Sequence, residues 1–273
     1  MDPVVALTKR LGAARWSQLT SMAVTDGDLR GAVRRGLVSS DGNGAYWLPG
    51  TADDVVLAAK LGGRLTCASA ARRHGVDLLH APHLPHIAVP RTRGTSTTEA
   101  VVHRIDSPGL APMVPLLHVM VTLVRCLPVL DAVVALDSAV RQRLVRVNAL
   151  QGRLRGPGSV EARRRLGLVD GRSGSVIETV LRLALRQAGL TVDCQVLVPG
   201  VGRVDLVVAG WLVVEVDGFE FHSERKDYRN DRRRANQLVQ AGYTLLRFTY
   251  EDVMFRLPAT VEAVQTVLAR GRI

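Results

Sequence analysis

At 273 residues the chain exceeds the usual size of one domain, so two domains, or one domain with a helical annex, are expected. Hydrophobic residues form 47% of it, enough for packed cores and too much for a disordered chain. The net charge of +11 favours polyanions through counterion release and points to nucleic acid as partner.

That charge is almost all arginine, with lysine only at Lys9, Lys60 and Lys226, a bias that codon usage in a GC-rich genome also produces. Nine of the arginines lie between 141 and 172, against Glu161 and Asp170 alone. There is no window of eighteen uncharged apolar residues. "APMVPLLHVMVTLV" is too short and is interrupted by His118, and "MDPVVALTKR" is not a signal peptide. No membrane association and a cytoplasmic location are expected. Cys67, Cys126 and Cys194 are odd in number, far apart and without C-x-x-C spacing, which supports neither a disulfide framework nor a zinc site.

Residues 1–50 read as three helices and a hairpin. Asp2 before Pro3 is a helix start and Gly12 a stop, "ARWSQLTSM" is a second helix, and Thr25 caps a third, "DGDLRGAVRR", ended by Gly36. In the third, Leu29, Ala32 and Val33 share one face, and Arg30 and Arg34, four apart, share another. "LVSSDGNGAYWLPG" follows as two extended segments about a Gly/Asn/Asp turn. This is a winged helix-turn-helix order, in which Arg30, Arg34 and Arg35 are the groove-facing cations; a solvated helix face accounts for the same spacing. The run from Leu11 to Pro49, with "DLRGAVRRGLV" and "AYWLPG", resembles the amino-terminal winged-helix domain of AbiEi-type abortive-infection antitoxins. The resemblance implies DNA binding or a docking role.

Residues 51–150 read as a mostly helical connector: "ADDVVLAAKLGG", "CASAARRHG", the strand-like "HIAVPR" and "AVVHRID", and a long helix near "LPVLDAVVALDSAVRQRLV". His80, His83 and His86 in "HAPHLPH" invite a metal reading. Their period of three, broken by prolines, marks an irregular segment, and no second cluster is evident to converge on them, so no metal site is expected there. Residues 151–172 read as a basic linker.

From 173 to 273 the pattern is α-β-β-β-α-β. The amphipathic helix "SGSVIETVLRLALRQAGL" starts at Ser173 or Ser175 and stops at Gly189. "VDCQVLV", "RVDLVVA" and "WLVVEVDG" are strands separated by the turns "PGVG" and "AG". The charged helix "RKDYRNDRRRANQLVQAG", the strand "YTLLRF" and a last helix complete a mixed sheet flanked by helices.

The acids within this core follow its geometry. Asp205 precedes Glu215 by ten residues, which a tight hairpin brings side by side, and Glu215 and Asp217 point to one face of a strand. Three like charges so placed repel one another and raise their pKa values unless a divalent cation compensates, and oxygen-only ligands suit Mg²⁺ or Mn²⁺. Such a cation serves phosphodiester hydrolysis, with His222 orienting water or protonating the leaving group. A lone buried acid is usually a hydrogen-bonded structural residue, and Asp231 with Arg234 is equally well a helical ion pair. The joint placement of Asp205, Glu215, Asp217 and His222 is what those readings leave unexplained.

The acid spacing and element order resemble the PD-(D/E)-x-K nuclease superfamily. Residues 173–250 more narrowly resemble endonuclease-like domains related to the very short patch repair endonuclease, on "SGSVIE" (Glu178), "RVDLVV" (Asp205), "VVEVDGFEFH" (Glu215, Asp217, His222), "DRRRANQL" (Asp231, Arg234) and "AGYTLLRF". The resemblance implies that Asp205 and Glu215 bind metal, that Glu178 supports them and that His222 assists proton transfer.

One departure stands out. The superfamily places Lys where Asp217 stands. A second metal, a cation from the next helix (Lys226 or Arg229), or loss of catalysis would each account for it. Taken together, the sequence predicts a metal-dependent endodeoxyribonuclease or nickase of mixed α/β fold. Asp205, Glu215 and Asp217 are its metal ligands, and Arg30, Arg34, Arg35, Lys226, Arg229 and Arg234 are its nucleic-acid contacts. DNA is the expected substrate, RNA and a homodimer are compatible, and an antitoxin-type regulator with a silent nuclease-like domain is the alternative.

Overall fold

The computed structural model describes residues 1–106, 109–217 and 225–272, and for 225–231 the backbone alone. The chain divides into two units, Met1–Leu127 and Pro128–Ile273. No helix among the described residues is long and apolar enough to cross a membrane.

In the first unit, α1 (Pro3–Thr8) starts where Asp2 accepts from the amides of Val4 and Val5. β1 (Ala13–Arg15), α2 (Trp16–Thr20) and α3 (Asp26–Arg34) follow, then β2 (Ser39–Ser40) and β3 (Ala45–Trp47). Thr25 and Asp28 cap α3 reciprocally. The three strands form an antiparallel sheet ordered β1-β3-β2. Leu7, Leu19, Leu29 and Ala32 are the buried centre of this region.

Three local expectations are corrected. The first helix ends at Thr8, four residues before Gly12. Ala13–Arg15 is strand, because pairing with Ala45–Trp47 outweighs the helical tendency of "AAR". Val33 is exposed and does not join Leu29 and Ala32 in the core.

The rest of the unit comprises α4 (Asp53–Lys60), β4 (Arg64–Leu65), α5 (Cys67–Arg73), β5 (His86–Pro90), β6 (Val101–Ile105) and α6 (Leu116–Cys126). β5 is the middle strand of a second sheet, antiparallel to β4 and parallel to β6. α5 packs on both β5 and α6.

The second unit opens with α7 (Val129–Arg141), α8 (Val147–Arg153) and α9 (Ser159–Leu166), so the basic stretch 151–172 carries a helix. Next come α10 (Val176–Gln187), β7 (Val192–Val198), β8 (Gly202–Val208), β9 (Leu212–Asp217), α11 (Arg225–Gln240), β10 (Thr244–Thr249), α12 (Tyr250–Phe255) and α13 (Leu257–Arg270). Four strands form one sheet, β10-β9-β8-β7, parallel between β10 and β9 and antiparallel elsewhere. β9 is central, and five of its six residues are buried. Leu238 of α11 packs with Val207 and Val213 of the sheet.

Two devices fix the position of the acids. Between β8 and β9, Ala209 (φ 50°) and Gly210 (φ 78°) both adopt left-handed backbone, which turns the chain tightly and sets the register Leu206↔Val214. α10 is moored by a buried ion pair, Arg182 to Asp137 of α7 at 2.7 Å. Arg182 also donates to the Leu168 carbonyl (2.9 Å) and the Ser173 hydroxyl (3.2 Å). Asp137 accepts from Thr179 (2.8 Å) and from the Asp170 amide (2.8 Å), so every polar group in this buried cluster has partners.

Candidate functional site

The register that pairs Leu206 with Val214 sets Asp205 opposite Glu215, one step further along the same hairpin. Opposite residues of an antiparallel pair share a face. There the charge of Asp205 acts on Glu215, and Asp205 Oδ2 accepts from the Val216 amide at 3.0 Å. On the other side of β8, Gln195 of β7 faces Asp205 from a left-handed backbone (φ 51°). Its side-chain amide donates to Asp205 Oδ1 (3.2 Å) and to Glu178 Oε2 (2.8 Å), bridging two carboxylates with one nitrogen. Glu178 reaches this point from the first turn of α10, which Ser175 caps through the Glu178 amide at 3.2 Å.

Gly174 supports the arrangement by close approach. Its amide donates to Glu178 Oε2 at 2.7 Å, and a Cβ on Gly174 would stand 2.9 Å from Glu178 Oε1. Any side chain there would push the Glu178 carboxylate and the Gln195 amide out of their present positions.

Glu215 is buried and lies between two guanidinium groups. Arg234 of α11 reaches Oε1 at 2.7 Å, and Arg247, its ladder neighbour on parallel β10, reaches Oε2 at 3.2 Å. Arg234 also donates to the Arg203 carbonyl. Burial is the largest influence on Glu215 and raises its pKa; the two arginines pull it back, and Asp205 pushes it up again. Glu178 is likewise raised, first by burial and then by the charge of Asp205.

The structure thus brings Glu178, Asp205 and Glu215 together. Asp217 ends β9 on the Glu215 side of the strand, half-buried, and no contact among the described residues joins it to the other three. His222 lies outside the described residues, as do the side chains of Lys226, Arg229 and Asp231. The donor set is oxygen only, and it contains buried carboxyls raised by desolvation and mutual repulsion. A hard divalent cation fits such a set: the oxygens of Asp205 and Glu215 each keep a second lone pair beside the partner they hold, whereas Glu178 Oε2 already accepts from both Gly174 and Gln195.

Two contributors escaped the sequence reading. Gln195 carries no charge and sits in a strand, so only its position opposite Asp205 marks it. Arg247 is 32 residues from Glu215 in the chain and meets it through parallel pairing. Arg234, expected on nucleic acid, is engaged with Glu215.

In the first unit Arg30, Arg34 and Arg35 are all exposed, and Arg30 pairs with Asp26 at 2.8 Å. Arg30 and Arg34 line an open hollow of about 620 Å³ with Ser40 and Tyr46.

The expected absence of metal-ligand convergence at the histidines is corrected. His80 and His83 do not take part, but His86 meets His103, Cys67 and Cys126, their ligand atoms all within 4.8 Å of one another. Hydrogen bonds from Cys67, then His103 and His86, pull the Cys126 thiol down, and the Cys67 thiol is driven up by the same contact. Cysteine spacing gave no sign of this, because the four residues come from separate elements.

No curated protein matches the chain. A family-model match begins at Glu178 and runs through the four-stranded sheet into α13. Residues 178–268 are similar to REase_MTES_1575, a restriction endonuclease-like family.

Proposed function

We propose that this protein is a metal-dependent endonuclease or nickase that hydrolyses DNA phosphodiester bonds, guided by a DNA-binding amino-terminal unit. The observation that carries the reading is the Glu178–Asp205–Glu215 cluster at the hairpin of a restriction endonuclease-like fold. Asp205 and Glu215 would hold Mg²⁺ or Mn²⁺, with Glu178 beside them and Asp217 at the end of the strand. The cation, when bound, polarises the scissile phosphate and lowers the pKa of water.

The chain's own residues do the rest. Gln195 keeps Glu178 and Asp205 aligned despite their repulsion. Glu178, buried and raised in pKa, is suited to take a proton from water. Arg234 and Arg247 supply the positive charge that the superfamily's lysine would bring, in place of the acid at Asp217. His222 remains the candidate for protonating the leaving oxygen. Arg30, Arg34 and Arg35, on and at the end of a helix beside a small antiparallel sheet, suit a winged-helix contact with DNA, and Lys226 and Arg229 would contact nucleic acid from the second unit.

One observation favours a second reading. Both oxygens of Glu215 are engaged by arginines, which also suits a silent domain in a DNA-binding regulator. Supercoiled plasmid incubated with Mg²⁺ or Mn²⁺, beside Glu215→Ala, separates the two. Metal-dependent nicking or linearisation lost in the variant is the expected result. Absence of cutting, or equal cutting by the variant, removes the enzyme. Structured RNA in a parallel arm tests the sugar preference.

A further inference from the structure

The cluster of Cys67, His86, His103 and Cys126 lies in the first unit, in residues that the nuclease reading leaves unused. Cys67 opens α5, Cys126 closes α6, and the histidines sit on the paired strands β5 and β6. His86 Nδ1 is 3.0 Å from His103 Nε2 and 3.8 Å from Cys126 Sγ. Tetrahedral zinc with Zn–N near 2.0–2.1 Å and Zn–S near 2.3 Å separates its ligand atoms by about 3.3 to 3.8 Å. The four ligand atoms all lie within 4.8 Å of one another, so shifts of about an ångström would bring them to those separations.

We propose that Cys67, His86, His103 and Cys126 form a structural zinc site that ties α5, β5, β6 and α6 together. Two thiolates and two imidazoles in one compact set select zinc over oxygen-seeking cations. All four positions come from protein, which makes the site closed and structural, with no place for a reacting water.

The surroundings are built to hold the ligands. His86 is buried, and its amide donates to the Ser69 hydroxyl at 2.9 Å. The Thr66 amide donates to the His86 carbonyl at 3.0 Å, joining the residue before Cys67 to the strand that carries the first histidine. Cys67 itself is fully buried with φ 46°, a left-handed backbone that costs a non-glycine residue free energy and that aims its side chain at the cluster. The sheet here is small, β4 having two residues and β5 and β6 five each, and cross-links of this kind stabilise such regions.

The test is the metal content of the full-length protein produced with zinc and dialysed, measured by plasma mass spectrometry. One zinc per chain is expected, falling at least about tenfold in Cys126→Ser and in His103→Gln. Cobalt(II) in place of zinc should give tetrahedral ligand-field bands with thiolate charge transfer, weakened in Cys126→Ser. Circular dichroism identifies a variant that fails to fold, and the wild-type measurement stands without it. A zinc-supplied wild type that holds no more zinc than Cys67→Ser/Cys126→Ser overturns the proposal. So does a wild-type mass lower by two hydrogens with no zinc bound, the mark of a Cys67–Cys126 disulfide.

Discussion

Replacing Asp137 by Asn keeps the side chain's shape and removes its charge. Arg182 and Asp137 are 0% and 1% exposed, so the substitution leaves a guanidinium sealed from water without its direct counter-charge, with only the more distant Asp170 carboxylate acting on it. Breaking a buried pair in this way costs about 3–5 kcal/mol. Arg182 retains the Leu168 carbonyl and the Ser173 hydroxyl, which places the cost at the lower end, about 3 kcal/mol. That is roughly a 150-fold change in the folded-to-unfolded ratio, and roughly 6–12 °C in melting temperature for a unit of this size. Calorimetry of the full chain should show one transition shifted by that amount, and Arg182→Met should move the same transition. The double variant Asp137→Leu/Arg182→Met, which removes both charges, should recover most of the loss. A shift under about 1 kcal/mol for Asp137→Asn would refute the reasoning, since a solvated pair behaves that way. Because Ser173 precedes Gly174 and Arg182 lies one turn beyond Glu178, loosening this mooring should also reduce plasmid cutting.

Three further outcomes are expected. Gly174→Ala places a methyl 2.9 Å from Glu178 Oε1, so it should cost about 1–3 kcal/mol in urea denaturation and depress cutting more than stability; wild-type cutting would mean that Glu178 does not work from this position. Arg247→Leu removes one of the two cations on Glu215 and should lower metal-dependent cutting on the order of 100-fold with little change in plasmid binding; a filter-binding loss that matches the activity loss would reassign Arg247 to substrate contact. Arg172 grips both oxygens of Asp170 and holds its carboxyl well below the usual range. A depressed folded value contributes stability above the unfolded pKa near 3.9 and loses it as pH falls, so Arg172→Ala should begin acid unfolding at higher pH; superimposable acid limbs would show that the contact is idle.

The strands of the second unit were legible because "PGVG" and "AG" punctuate them at fixed intervals, and Ser175 and Gly189 bound α10 where capping chemistry requires. The pairing of Asp205 with Glu215 followed from strand parity. Gln195 and Arg247 were not legible: an amide in a strand has no signature, and parallel partners are separated in sequence by the crossover helix α11. The same limit hid the cysteine–histidine cluster, whose members are spread from 67 to 126 and converge only through packing of α5 and α6 around β5 and β6. β1 was missed because three residues carry too little pattern to announce pairing with a strand thirty residues away.

The turn at Ala209–Gly210 guards the strand register. Side chains alternate across a strand, so a slip of β9 by one residue against β8 would turn Glu215 and the buried row around it to the other face of the sheet, and this tight turn holds the register that prevents it. Left-handed backbone at both positions therefore makes the loop demanding in composition, with glycine, asparagine and aspartate the residues that suit it.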